Sequence, residues 1–220
     1  MRLIRNLFCL LLIMIPLLTF AQNKFQLGPI VGVGVASMSD NYNYKNFHTG
    51  IITSFVLSPR LNLQPALLIS SKGYADTFIK ADKKVGLNYI DLITTIKFTP
   101  WKYFFMGAGV QAGYLYKASY SYLAYGTDYY DKIKLTPYAN KMDVGVNLKL
   151  GCRFDSGMGL EISYVGGLIN VFDDNLKTFK GNHYNTVSIP IKGRGKNTVI
   201  STSFYFLFGI RPNKNPVQIN

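Results

Sequence analysis

Hydrophobic and polar residues alternate with a period of two along most of the chain. In the segment 87–100 (LNYIDLITTIKFTP), apolar side chains such as Ile90 and Leu92 share one face, whereas Asp91 and Lys97 lie on the other. Successive side chains of a β-strand point to opposite faces. This segment therefore predicts a strand with one apolar face and one face that carries charged groups.

The same alternation recurs along the chain and predicts eight strands, over residues 25–38, 47–57, 61–71, 87–100, 103–116, 142–154, 160–168 and 198–208. Three of the connections are expected to be short turns, at residues 58–60, 100–102 and 155–159. The other connections are expected to be longer polar loops, at residues 40–45, 72–85, 117–141 and 169–196.

Short turns at one end of a barrel and long loops at the other are typical of bacterial transmembrane β-barrels. A closed barrel pairs the backbone groups of every strand and leaves no sheet edge in lipid. The sequence therefore predicts an all-β fold: an eight-stranded antiparallel up-and-down transmembrane β-barrel with short periplasmic turns and long extracellular loops.

The first 21 residues are expected to form a cleaved signal peptide. Two arginines precede the apolar segment 7–18, and the small residues Thr19 and Ala21 follow at the −3 and −1 positions of the cleavage site, which is the order of regions in a secretory signal. We expect residues 22–210 to form the barrel and residues 211–220 to form a polar C-terminal tail. Export of such a barrel predicts a location in the bacterial outer membrane.

Charged residues are expected to face the inside of the barrel at six positions. An eight-stranded barrel is just wide enough to be filled by side chains, and buried charges must be paired. Three acids and three bases therefore predict an internal salt-bridge network instead of an open pore, and the small residues Gly32 and Gly34 fit the same narrow interior. The predicted network consists of Asp91, Lys97, Asp143, Lys149, Arg153 and Glu161.

Candidate catalytic and metal-binding residues are few. His48 and His183 fall in different predicted elements, and no nucleophile motif flanks either of them. Asp173 and Asp174 are expected in a solvated loop, and Cys152 is expected to face lipid as a small hydrophobic residue. The sequence therefore predicts no catalytic residue, no metal site and no cofactor.

The charge of the chain bears on its partners. The formal net charge is +13, and it falls to +11 once the two leader arginines are removed. The excess is spread over the loops, which argues against a nucleic-acid partner and favours contact with outer-membrane lipid, including lipopolysaccharide phosphates. The basic loop residues expected on the extracellular side are Lys80, Lys83, Lys84, Lys177, Lys180, Lys192, Arg194 and Lys196.

Aromatic residues concentrate in one predicted loop. They favour either a surface that binds a protein partner or a packed cap on the barrel. These residues are Tyr120, Tyr122, Tyr125, Tyr129 and Tyr130.

The chain resembles the PorT-like outer-membrane β-barrel family, known chiefly from Bacteroidota. The resemblance is carried by residues 63–73 (LQPALLISSKG), by 89–92 (YIDL) running on to Lys97, by 107–113, by Asp143 and Gly145, and by 164–170. The family often has a glutamate at the position of Ala66 and a proline at that of Ile93. The resemblance implies an outer-membrane barrel, and one branch of the family is linked to protein secretion.

Three functions remain open from the sequence. The first is a small, non-enzymatic outer-membrane barrel with a structural, surface-interaction or secretion-associated role. The second is a soluble, exported ligand-binding barrel of lipocalin type, which requires an apolar interior and a polar exterior. The third is an outer-membrane enzyme that modifies lipids.

Overall fold

The structure is a computed structural model that describes residues 25–38, 43–76, 83–123, 130–137, 139–172, 179–180, 186–187 and 195–209. The strands in this part of the chain are β1 (Phe25–Met38), β2 (Asn43–Ser58), β3 (Leu61–Asp76), β4 (Lys83–Phe98), β5 (Phe104–Leu123), β6 (Tyr130–Lys134), β7 (Met142–Arg153), β8 (Met158–Asn170), β9 (Phe179–Lys180), β10 (Thr186–Val187) and β11 (Lys196–Phe206).

Eight of these strands form a closed antiparallel barrel. The order around the ring is β1, β2, β3, β4, β5, β7, β8 and β11, and β11 pairs with β1 to close it. Each barrel strand lies between two strands of opposite direction, so the ring has no free edge. The predicted fold class, an eight-stranded antiparallel up-and-down barrel, is confirmed.

The outer wall of the barrel is apolar. Val33 and Leu150, for example, are 61% and 63% exposed, whereas their neighbours Gly32 and Lys149 point inward and are buried. Aromatic side chains mark both ends of this wall, with Trp101 among those at the turn end and Tyr114 among those at the loop end. This arrangement suits a wall in contact with lipid. It is the reverse of the soluble lipocalin-type alternative.

Several strands extend further toward the loop end than the sequence predicted, so the predicted loop boundaries were wrong. β3 runs to Asp76 and β4 starts at Lys83, inside the predicted loop 72–85. β5 continues to Leu123. Its pairing with β7 reaches only as far as Tyr114, and β6 pairs with the extension of β5 from Ser119 to Leu123.

The other two predicted loops also contain strand. β2 begins at Asn43, within the predicted loop 40–45. Within 169–196, β8 runs to Asn170, β9 pairs with β10, and β11 begins at Lys196 and ends at Phe206. The common reason is that backbone pairing continues after the lipid-facing pattern of side chains has ended.

The polarity of the two faces reverses along the extended strands. In β4, Ile90 and the alternate residues toward Phe98 are apolar and outward, and this lipid-facing part spans nine residues, the length that a tilted strand needs to cross a bilayer. Beyond Ile90, the outward residues become Asn88, Gly86 and Lys84, while the inward residues are apolar. The reversal marks where the strand leaves the lipid.

A β-bulge in β5 lies at the same level. The β4–β5 register shifts between Asn88 and Tyr89, which pair with Lys117 and Leu115 respectively. Tyr116 is the extra residue, and both Tyr116 and Lys117 are exposed. A bulge changes the direction of the side chains that follow it, so the inward residues of β5 change from odd to even positions. Among the described residues, no helix is long and apolar enough to cross a membrane.

Candidate functional site

The barrel interior contains two groups of buried ion pairs. The first, which we call the outer cluster, consists of Lys72, Asp91 and Asp143. The Lys72 ammonium lies 3.1 Å from Asp91 Oδ1 and 2.9 Å from Asp143 Oδ2. It also lies 4.6 Å from the centre of the Tyr89 ring, within cation–π range.

Neutral side chains complete the hydrogen bonding of the outer cluster. Asp91 accepts hydrogen bonds from Ser70 Oγ at 2.5 Å and from Gln111 Nε2 at 3.0 Å. Asp143 accepts one from Asn197 Nδ2 at 3.0 Å. Each carboxylate is thus held by a cation and by at least one neutral donor, which is the arrangement that a buried charge requires.

The second group, the inner cluster, lies toward the turn end and consists of Lys97, Lys149 and Glu161. Lys97 donates to Glu161 Oε2 and Lys149 donates to Glu161 Oε1, both at 2.6 Å. The Lys97 ammonium also lies 3.8 Å from the centre of the Phe105 ring. One buried carboxylate therefore binds two buried lysines.

The two clusters carry opposite formal charges. The outer cluster has two acids and one base, and the inner cluster has one acid and two bases, so their formal charges of −1 and +1 cancel within the barrel. Arg153 lies beyond the inner cluster and donates a hydrogen bond to Gln26 Oε1. Charges of opposite sign in one low-dielectric interior stabilise each other more strongly than they would in water.

Apolar side chains fill the barrel on the loop side of the outer cluster. We call these side chains the apolar cap: Met38, Tyr74, Val85, Leu87, Tyr89, Leu115, Ala118, Tyr120, Leu135, Ala139, Val171 and Phe172. Leu87, Leu115 and Tyr120 are at most 1% exposed. For Tyr120 the sequence left open a partner-binding surface or a packed cap, and the structure buries this side chain in the cap. The cap separates the charged interior from the loop side.

Glycines in the barrel wall make space for the polar interior. A Cβ atom on Gly113 would lie 2.3 Å from Asp91 Oδ1, and one on Gly32 would lie 2.3 Å from His48 Nε2. Both distances are too short for any side chain. The predicted inward position of Gly32 therefore has a specific cause, which is the close approach of the His48 ring.

A small cavity lies between the two clusters. The space in which the centre of a water molecule fits is about 30 Å³, and its lining includes His48, Lys149, Glu161 and Ser203. One water needs about 10–15 Å³ by this measure, so the cavity has room for about two waters.

Beside this cavity, Ser203, His48 and Asn46 form a hydrogen-bonded chain. His48 Nε2 lies 2.9 Å from Ser203 Oγ, and His48 Nδ1 lies 3.2 Å from Asn46 Oδ1. A nucleophile, a base and an orienting group have this geometry in hydrolases. However, all three side chains are at most 6% exposed, and the adjoining cavity is too small for a lipid or a peptide. The sequence offered no signal for this chain because Ser203 lies 155 residues from His48.

The six residues predicted as an interior network all lie on the inner face of the barrel strands. Five of them divide between the two clusters, and Arg153 donates a hydrogen bond to Gln26. Lys72 and Gln111 were missed. Lys72 follows a polar segment that resembled the start of a loop, and Gln111 is uncharged.

Other candidates from the sequence fall outside the described residues. They are His183, Asp173, Asp174, Lys80, Lys177, Lys192, Arg194, Tyr125 and Tyr129. Within the described part of the chain, no three His, Cys, Asp or Glu side chains are grouped as a metal site. Cys152 is a half-buried free thiol.

The two ends of the outer surface differ in charge. At the loop end, exposed lysines follow the apolar wall at several points of the ring: Lys45, Lys84, Lys117, Lys132, Lys134, Lys141 and Lys196. At the turn end, Lys102 lies 3.5 Å from Asp155. The pKa of Lys102 is raised, first by its hydrogen bond to Tyr103 and further by the charge of Asp155.

The geometry defines the class of protein as an integral β-barrel with an apolar wall and a filled, charged interior. Residues 20–173 match the family described as outer membrane protein beta-barrel domain. Because the match covers more than half of the chain, the chain belongs to this family. It is a small integral barrel of the bacterial outer membrane.

Solved structures similar to this chain are also outer-membrane barrels. Ail, the attachment invasion locus protein of Yersinia pestis, solved in complex with the heparin analogue sucrose octasulfate, is 8% identical, with a TM-score of 0.43 over 84% of this chain and 99% of that chain. Neisserial surface protein A is 13% identical, with a TM-score of 0.44 over 84% and 97%. The N-terminal barrel domain of Pseudomonas aeruginosa OprF is 13% identical, with a TM-score of 0.37 over 82% and 97%. No curated protein matches the chain.

Proposed function

We propose that this protein is a non-enzymatic, non-conducting barrel of the PorT-like type, with a structural, surface-interaction or secretion-associated role carried by its loop end. The observation that carries the proposal is the interior, where ion pairs and the apolar cap fill the space that a pore would need. An eight-stranded barrel has little interior space beyond its side chains, whereas porins have 16 or more strands.

Conductance in planar lipid bilayers tests the non-conducting proposal. The wild-type barrel is expected to give no stepwise current, because ions would have to cross the apolar cap as well as both clusters. A porin reconstituted in the same bilayers serves as the positive comparison, because its wider barrel encloses an aqueous channel. Discrete conductance steps from the wild-type protein would contradict the proposal.

A hydrolase function is the second candidate, because Ser203, His48 and Asn46 have a suitable geometry. We propose instead that they form a structural hydrogen-bond chain, since no substrate-sized space adjoins Ser203. A fluorophosphonate probe distinguishes the two functions. The folded wild-type barrel is expected to remain unlabelled, like Ser203→Ala, and labelling that depends on Ser203 would favour the enzyme.

The proposed domain organisation has three parts. Residues 1–21 form a cleaved signal peptide, residues 22–210 form the barrel, and residues 211–220 form a tail. The leader is supported by its two arginines and the apolar segment 7–18. N-terminal sequencing of the protein from outer membranes is expected to begin at Gln22, and a chain that still carries Met1 would contradict cleavage.

We further propose contact with lipopolysaccharide, together with a protein partner that binds through the loops. Support for the lipid contact comes from the exposed lysines at the loop end of the apolar wall, such as Lys45, Lys117 and Lys141. Crosslinking on intact cells followed by purification under denaturing conditions tests the partner. A specific crosslinked species that is lost when residues 124–129 are replaced by glycine and serine would support it, and the absence of any specific crosslinked species would contradict it.

A further inference from the structure

The bulge in β5 brings an aromatic and a basic side chain together at the membrane boundary. Tyr116 and Lys117 are both exposed, one directly after the other. Tyr114, two residues earlier, is still part of the apolar wall. Tyrosine at this level suits the interface between hydrocarbon and headgroups. Lys117 is thereby placed just above that interface.

A second lysine lies on the same face, one strand away. Ser119 pairs with Lys134 of β6 on one side and with Gly86 of β4 on the other. Directly paired residues are about 5 Å apart between Cα atoms, and alternate residues of a strand are about 6.6 Å apart. Lys117 and Lys134 therefore flank Ser119 closely enough for their ammonium groups to reach one anion.

The described side chains beside the two lysines are polar. Asn88 pairs with Lys117. A Cβ atom on Gly86 would lie 3.2 Å from the hydroxyl oxygen of Tyr44 and 3.6 Å from Ser119 Oγ, so both hydroxyl groups lie beside the glycine. These groups can donate hydrogen bonds to an anion that the lysines attract. We call Asn88, Lys117, Ser119 and Lys134 the boundary site.

The carboxylates with described side chains lie elsewhere. Asp91, Asp143 and Glu161 are inside the barrel, and Asp155 is in a turn at the opposite end. Among the side chains that the structure describes, the exposed charged groups at the loop end are lysines. Charge complementarity favours an anionic ligand at the boundary site.

The height of the boundary site indicates where this ligand comes from. Ser119 is three residues beyond Tyr116, which is about 10 Å along the strand and roughly 8 Å along the membrane normal for a tilted strand. Headgroups extend about 5–8 Å beyond the hydrocarbon core on each side. The boundary site continues the lipid-facing wall beyond the hydrocarbon core. Its ligand must therefore lie beside the barrel, among the lipid headgroups.

We propose that the boundary site binds a phosphate group of a phosphorylated glycolipid in the outer leaflet. Lys117 and Lys134 attract the phosphate, Ser119 and Asn88 donate hydrogen bonds to it, and the Tyr116 ring packs against the upper part of the acyl chains. This inference deepens the proposed lipopolysaccharide contact and rests on it.

The test compares retention of lipid A by purified full-length mature barrels in detergent, followed by native mass spectrometry. The probes are diphosphoryl lipid A and the same lipid after enzymatic removal of its phosphates. The test variant is Lys117→Gln with Lys134→Gln. The control variant, Arg60→Gln with Lys102→Gln, removes the same charge from exposed positions at the turn end. Heat-modifiable migration verifies that each variant is folded.

The test variant is expected to lose bound diphosphoryl lipid A by on the order of tenfold, since each basic residue near an anionic surface contributes substantially to binding. The control is expected to retain it, and the dephosphorylated lipid is expected to bind weakly to all. Equal retention by test and control would overturn the boundary site but leave the broader lipid contact standing. Absence of retention by the wild type would overturn both. Equal binding of the dephosphorylated lipid would show that phosphate is not the recognised group.

Discussion

Glu161 accepts a hydrogen bond from Lys97 on one carboxylate oxygen and from Lys149 on the other. All three residues are buried in the barrel wall's inner face. Removing one partner of a buried ion pair costs more than the pair contributes, because the remaining charge is left without compensation. The loss of unfolding free energy on a substitution in the inner cluster should therefore depend on how many buried charges the substitution leaves without a partner.

Glu161→Gln is expected to destabilise the barrel by about 3–5 kcal/mol, because it strands two buried ammonium groups at once. Urea unfolding of the protein refolded in detergent, followed by tryptophan fluorescence of Trp101, measures the change. An unfolding midpoint equal to that of the wild type would contradict the uncompensated burial of the two lysines in this variant.

Lys149→Ala is expected to have a smaller effect, of about 1–3 kcal/mol, because Lys97 still compensates Glu161. The same unfolding experiment gives the comparison. The rank order of the two variants in stability matters more than either loss of free energy. A Lys149→Ala variant less stable than Glu161→Gln would contradict the arrangement in which Glu161 binds both lysines.

Gly113→Val is expected to destabilise the barrel by about 1–3 kcal/mol, as overpacking does, because its Cβ atom would displace the Asp91 carboxylate. Ala112→Val, on the exposed outer face next to it, is the matched control and should leave the unfolding midpoint unchanged. Similar midpoints for the two variants would show that Asp91 can move without cost.

For single residues, the alternation of side chains predicts which face of a strand each residue occupies. It does not predict which residues contact each other inside the barrel. Asp91 and Asp143 lie 52 positions apart, and Lys72 bridges them across the barrel. Such pairings depend on strand register and barrel diameter, and a single strand's pattern contains neither. Ser203 and His48 were unpredictable as a pair for the same reason.

The strands as elements were predicted well where they contact lipid and poorly beyond it. In β4 the outward residues from Ile90 to Phe98 are apolar, and this pattern identified the strand. Between Lys84 and Asn88 the alternation persists, but the apolar residues Val85 and Leu87 now face inward. A prediction that expects apolar residues on the outer face of the barrel therefore ends the strand too early.

The bulge at Tyr116 and Lys117 is a second reason why the sequence did not predict the extension of β5. It shifts the inward positions from Leu115 to Ala118, so the period of two is interrupted at that point. Bulges arise from the pairing of two strands, and nothing in the local sequence of β5 specifies one. The tyrosine-rich segment consequently resembled a loop.

Cysteine accessibility tests the boundary between lipid and water along these strands. In a Cys152→Ser background, Lys132→Cys, which is exposed at the loop end, is expected to react with a membrane-impermeant maleimide on intact cells. Ile96→Cys, on the lipid-facing wall, should not react, and Lys102→Cys should react after the outer membrane is permeabilised. Labelling of the position 102 variant but not the position 132 variant on intact cells would show the opposite orientation.

The molecule as a whole combines three layers from the turn end to the loop end: the inner cluster, the outer cluster and the apolar cap. The formal charges of the outer and inner clusters, −1 and +1, cancel within the barrel. The apolar cap closes the interior on the loop side. Seven of the eight exposed lysines whose side chains the structure describes lie at that same end, and the eighth is Lys102 at the turn end. Interactions with other molecules are therefore expected at the loop end and its rim.

We conclude that this chain forms a closed barrel in the outer membrane with its apolar face toward lipid. Cell fractionation followed by gel migration of unheated and boiled samples tests this conclusion, because a closed barrel that resists detergent migrates faster than its unfolded chain. We predict a heat-modifiable band in the outer-membrane fraction. Recovery of the protein in the soluble periplasmic fraction, with a single band whether heated or not, would contradict this conclusion.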